Sequence, residues 1–130
     1  MVTMVGEPQV GAHSLYAEAS LPDATPVNPP MIYDGSVVTQ ILIPSGQFII
    51  SDLYLGFGFV YWVVEVDFGA GYVDYTRFGF TLLAPLTTEV KKFKTPITIN
   101  GGPGVKMRLR VEAVTFPVDV NCTIRCRMQG

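Results

Sequence analysis

Val105-Lys106-Met107-Arg108-Leu109-Arg110-Val111-Glu112-Ala113 and, after a short break, Val118-Asp119-Val120-Asn121-Cys122-Thr123-Ile124-Arg125-Cys126-Arg127-Met128 alternate apolar and polar side chains without interruption. Successive residues of a β-strand point to opposite faces, so each stretch buries one face and leaves the other for water or a partner. A helix would scatter the same apolar residues around its circumference. These two stretches set the fold class as all-β.

Working outward, the sequence predicts eight strands, over residues 36–43, 47–55, 59–67, 72–82, 88–94, 96–99, 104–113 and 118–128. Turn chemistry separates them: Pro44-Ser45-Gly46, Gly56-Phe57-Gly58, Gly69-Ala70-Gly71, Ala84-Pro85 and Asn100-Gly101-Gly102-Pro103-Gly104. In the third strand Val60, Trp62, Val64 and Val66 share one face, and the other face is also apolar at its start. A strand of that kind is expected to be central or covered. The expected architecture is an eight-stranded antiparallel sandwich, jelly-roll-like, over residues 36–130.

Residues 1–35 read differently. They hold Pro8, Pro22, Pro26, Pro29 and Pro30 and little period-two alternation, so an extended proline-rich arm is expected there. Ser14 to Ala19 reads as one helical turn capped by Ser14. The chain has 130 residues, 48% of them apolar and only 15% charged, against about a quarter charged in a typical domain. So lightly charged a chain is expected to hide surface in its core or against partners.

The charges are unevenly placed. All nine Lys and Arg residues lie at or beyond Arg77, while eight of the eleven acids precede it. Residues 1–76 therefore carry a formal −8 and residues 77–130 carry 9 − 3 = +6. Such asymmetry points to partners or to self-complementation. The arm residues Glu7, Glu18, Asp23, Tyr33 and Asp34 are the expected acidic side of a protein contact. Lys106, Arg108 and Arg110 are the expected basic side, joined on the same face by Arg125 and Arg127 if the last two strands pair. Lys91, Lys92 and Lys94 are expected to protect a sheet edge from aggregation.

No motif for catalysis accompanies this pattern. The lone histidine, His13, sits in the arm, and no nucleophile elbow, zinc-protease helix or phosphate-binding loop occurs. The expectation is a non-enzyme with no metal and no cofactor. Glu65, Asp67 and Asp74 could gather at one hairpin end, where a solvated cluster is the plainer reading than a calcium site. Cys122 and Cys126 share a strand face roughly 13 Å apart at about 3.3 Å per residue. A disulfide needs Cα atoms within about 7 Å, so two reduced buried thiols are expected. Net charge is −2, the pI is 5.2, and the arm is acidic, which disfavours nucleic acid. The start, Met1 to Glu7, has no basic or apolar signal character. The longest apolar run, Leu53 to Val64, has 12 residues where a spanning helix needs about 20, so neither export nor membrane insertion is expected.

Residues Ile41-Leu42-Ile43-Pro44-Ser45-Gly46-Gln47-Phe48-Ile49-Ile50-Ser51-Asp52-Leu53-Tyr54-Leu55 and Pro96-Ile97-Thr98-Ile99-Asn100-Gly101-Gly102-Pro103-Gly104, following the arm, resemble small β-sandwich virion proteins of tailed bacteriophages. Head decoration (cement) proteins are the closest analogy. The resemblance is architectural. It implies a homotrimer on a capsid, contacting the major capsid protein or other virion subunits, assembled in the host cytoplasm and clamped by the arm. The alternative expectation is a receptor- or carbohydrate-binding module of a phage fibre or tail tip. That module would use the aromatic residues Tyr54, Phe57, Phe59, Tyr61, Tyr72 and Tyr75, and possible calcium ligands among Glu65, Asp67 and Asp74.

Overall fold

The computed structural model describes residues 5–6, 10–55, 60–79, 89–114 and 116–130. Among them there is no helix. The strands are β1 (Val5–Gly6), β2 (Gly11–Leu21), β3 (Met31–Tyr33), β4 (Ser36–Val38), β5 (Gln40–Leu42), β6 (Gln47–Leu55), β7 (Val60–Asp67), β8 (Tyr72–Gly79), β9 (Glu89–Asn100), β10 (Lys106–Ala113) and β11 (Val118–Gln129). They form two sheets. One has six antiparallel strands in the order β4-β3-β2-β11-β6-β9. The other runs β1-β5-β10-β7-β8, four antiparallel strands with the two-residue β1 added in parallel at its edge.

The core lies between the sheets. Trp62, Val64, Val66, Met107, Leu109 and Val111 face it from one side, and Leu15, Leu21, Phe48, Ile50, Leu53, Cys122 and Ile124 from the other. Both alternating stretches thus do what their pattern requires, and each buries its apolar half. Cys122 and Cys126 are free and buried. Burial raises both thiols, Cys126 to about 12, so neither is a ready nucleophile.

The structure departs from the sequence expectations in four places. First, residues 10–35 are not an arm outside the sandwich. β2 is an internal strand, paired with β11 from Leu21↔Val118 to Gly11↔Met128, and the expected helical turn at Ser14–Ala19 lies inside it. The prolines concentrate at 22–30, which leaves 10–21 free to pair on both edges. Leu15, Ala17 and Leu21 supply a period-two buried face. Asp34 and Gly35 both have positive φ, 48° and 88°, as a two-residue hairpin turn between β3 and β4 demands.

Second, the strand expected at 36–43 is two strands in opposite sheets, β4 and β5. Third, the strands expected at 88–94 and 96–99 are one, β9, with an irregularity opposite Ser51. The described strands therefore number eleven rather than eight. Fourth, β10 and β11 do not pair. They lie in different sheets, because β7 and β5 flank β10 while β2 and β6 flank β11. β9 ends its sheet, as the edge reading of Lys91, Lys92 and Lys94 requires of the backbone.

Two connections fix the sandwich. The proline-rich segment after β2 crosses to the other sheet, where Val27 and Val111 exchange backbone hydrogen bonds of 3.0 and 2.9 Å before the chain returns to β3. At one end, Gly101 N–H donates to Gly46 O (2.8 Å) and Gly102 N–H to Ile43 O (3.0 Å). Gly101 has no room for a side chain, since a Cβ there would lie 2.5 Å from the Ser45 carbonyl oxygen. The turn glycines of the sequence are thus a contact between two loops.

Candidate functional site: two outer sheet faces

The outer face of the five-stranded sheet is a closed charge lattice. Because Met107, Leu109 and Val111 point inward, Lys106, Arg108, Arg110 and Glu112 point outward. Register brings β7 and β8 acids beside them: Arg108 faces Glu65, and Glu65 faces Asp74. Glu65 is the buried charged residue of the described core, 5% exposed, and accepts from Arg108 Nε (2.9 Å) and Arg110 Nη1 (2.7 Å). Asn28, from the crossing segment, adds a third donor at 2.7 Å and also donates to Leu109 O. Arg110 reaches Asp74 through both terminal nitrogens, at 2.7 and 3.0 Å. Lys106 lies 4.0 Å from Asp67, and Arg77 lies 2.8 Å from Glu112 rather than on any of the hairpin acids.

Each shift on this face has a local cause. Hydrogen bonds from Arg110 hold the Asp74 carboxyl below its ordinary range. The amides of Gly69 and, more weakly, Gly71 do the same for Asp67 in the β7–β8 turn, reinforced by Lys106. Asp74 and the paired Glu65 hold the Arg110 guanidinium above its ordinary value. Aromatic rings complete the lattice: Arg108 sits 3.9 Å from the Tyr72 ring centroid and Arg77 sits 4.4 Å from that of Tyr61. Tyr72 donates its hydroxyl proton to Gln40. Glu65, Asp67 and Asp74 are thus occupied by cations and turn amides. Among the described residues no group of three or more potential metal ligands occurs.

The outer face of the six-stranded sheet is open. Arg125 and Arg127 point outward between the buried Ile124, Cys126 and Met128. Among the described residues neither forms a salt bridge, although Asp52 stands directly across from Arg125 in register. Arg125 instead lies 5.4 Å over the Tyr54 ring centroid. A cleft of about 790 Å³ crosses this face, lined by Ser14, Asp34, Ser51, Asp52, Pro96, Arg125 and Arg127, with His13 among its walls.

The expected site residues fall into separate places. Glu7 lies outside the described residues. Glu18 is exposed and accepts the Tyr16 hydroxyl proton at 3.0 Å, and Asp23 accepts from the Thr25 amide at 2.8 Å in a turn. Tyr33 is buried, with its ring 5.1 Å from that of His13, and burial raises its hydroxyl. Asp34 accepts from the Ser14 amide and pairs with His13. Burial opposes ionisation of Asp34, but the Ser14 amide and His13 outweigh it and the carboxyl is lowered. Asp23 and Asp34 therefore fasten local turns, Glu18 bonds along its own strand, and among the described residues none of the three meets any of the five basic residues in a salt bridge. Lys106, Arg108 and Arg110 share one sheet, and Arg125 and Arg127 share the other, so the expected single basic face does not exist. Of the aromatic set, Phe57 and Phe59 lie outside the described residues, and Tyr54 and Tyr61 are on different sheets. Glu65 is the partner that the sequence did not single out for Arg108 and Arg110, and Asn28 of the crossing segment is its third donor. The signal for Glu65 is register, which appears only once the strands are paired.

Compared with known proteins, the chain matches no family model and no curated sequence.

Proposed function

We propose that this chain is a non-enzymatic structural protein of a multi-subunit assembly, with decoration of a capsid shell as the setting its architectural resemblance implies. The observation that carries the reading is the β7–β8 hairpin, where Phe68, Val73 and Tyr75 are 50%, 52% and 40% exposed. Phe68 and Tyr75 stand with ring centroids 6.0 Å apart, so they form one apolar surface rather than scattered exposures. Apolar side chains grouped on a hairpin beside a lattice of ion pairs suit a protein contact.

The finer fold reading belongs with this proposal. Setting aside β1, β3 and β4, the sheets run β2-β11-β6-β9 and β5-β10-β7-β8. Chain segments step back and forth between the two sheets in the manner of a jelly roll, an architecture used by capsid and lectin domains. That likeness is an association of fold and not of site. The arm clamp is not part of the proposal, since residues 10–35 build the sandwich itself.

Light scattering on the full chain tests the reading. A stable oligomer is expected, a trimer by the resemblance, and the double substitution Phe68→Ser with Val73→Thr is expected to yield monomers of unchanged fold. A wild-type protein that stays monomeric at high concentration would remove the support.

A further inference from the structure

We propose that the cleft across the outer face of the six-stranded sheet is a binding site for a carboxylate-bearing saccharide, with Arg127 and Arg125 holding the carboxylate and Asp52 the sugar hydroxyls. This is independent of the assembly reading, which rests on a hairpin of the other sheet.

The first argument is the contrast in pairing. Each of the four cations described on the five-stranded sheet has a carboxylate oxygen within 4.0 Å. Among the described residues Arg125 and Arg127 have none, even though an acid stands opposite Arg125 on the neighbouring strand. Adjacent outward positions on one strand lie two residues apart, about 6.6 Å at 3.3 Å per residue, so both arginines rise from the same face beside the cleft they line. A planar fork pairs with a carboxylate through two parallel hydrogen bonds, which makes carboxylate the natural occupant.

The second argument is the lining. Lys92 on β9 stands across from Asp52 in backbone register, and among the described residues Asp52 makes no hydrogen bond or salt bridge, so the described lining brings together guanidinium donors and a carboxylate acceptor that do not pair with each other. Ser14 and Ser51 add hydroxyls, and Ser51 already donates to the Arg125 carbonyl oxygen, which leaves its own oxygen to accept. Ile49 and Pro96 supply apolar surface for the C–H face of a ring. A polyphosphate or sulfated polymer would meet the carboxylates of Asp34 and Asp52 as well as the arginines. A neutral sugar would leave the guanidiniums without a counter-charge. One carboxylate carried on a polyhydroxylated ring satisfies both sets. The volume, about 790 Å³, falls within the ~300–1,000 Å³ of small-molecule sites.

Isothermal titration calorimetry on the full chain supplies the test, with trigalacturonate, a sialyl trisaccharide, methyl-esterified trigalacturonate and heparin as probes. Saturable binding of at least one of the two carboxylated sugars is expected, and which of them binds separates a uronate from a sialate source. Esterification is expected to weaken it by ~10–100-fold, the scale of charged hydrogen bonds lost. Arg127→Gln should cause a loss of the same order, while Lys106→Gln on the opposite sheet should leave binding unchanged. Failure of both carboxylated probes to bind overturns the proposal. So does binding that survives Arg127→Gln, or heparin bound more tightly than either sugar. The size measured by light scattering is unaffected by any of these outcomes, so the two readings fail separately.

Discussion

The two sheets carry the same sequence device with opposite results. β10 and β11 each alternate apolar residues with Lys or Arg, yet every β10 cation sits against an acid, while among the described residues the two β11 arginines pair with none. The difference comes from what lies beside each strand. β10 is next to β7, which presents Glu65 and Asp67, and β8 lies one strand further with Asp74. β11 is flanked by β2, whose outward residues near the arginines are Ala12 and Ser14, and by β6, whose Asp52 leaves Arg125 to Tyr54. A charged half-strand therefore says little about function until its neighbours are known. Of the eight acids in residues 1–76, Glu65, Asp67 and Asp74 pair with bases of residues 77–130.

The comparison breaks most completely if the first part of the chain is removed. Deleting residues 1–35 takes away β2 and β3, with the fully buried Leu15 and Met31, and leaves β11 with one open edge. The truncated chain is expected to lose its cooperative thermal transition in circular dichroism. A folded truncation product would mean that β2 is dispensable and the arm picture correct after all.

A smaller effect sharpens the contrast between the faces. Glu65→Gln leaves Arg108 and Arg110 without their shared buried counter-charge, and about 2–3 kcal/mol of stability should be lost. That is below the ~3–5 kcal/mol of a fully buried pair, because both arginines keep some access to water. Arg127→Gln, by contrast, should stay within ~0.5 kcal/mol of the parent protein. Urea denaturation of the two variants side by side reads the difference. Equal losses would erase the distinction between a sealed and an open face.

Much of the sandwich was legible because it rests on local rules. Alternation marked β10 and β11, Trp62 and its neighbours marked a covered strand, and Gly-containing turns marked the breaks. Two things were not legible. Proline density at 22–30 gives the whole segment 1–35 the look of an arm, although residues 10–21 contain no proline and the Asp34-Gly35 pair is a strong hairpin signal. The partner of each arginine was hidden as well, because it depends on which strand lies alongside. Glu65 and Arg108 are 43 residues apart, and no spacing rule connects them. The last two strands, adjacent in sequence, suggested one basic face; their assignment to different sheets split it in two.

Arginine reactivity tests the central distinction most directly. The native protein would be treated with hydroxyphenylglyoxal, which modifies accessible guanidiniums, and the modified positions timed by peptide mass spectrometry. Arg125 and Arg127 should react well ahead of Arg108 and Arg110. Equal rates at all four, or faster labelling of the β10 pair, would contradict an account in which one face is closed by its own charges and the other is left available.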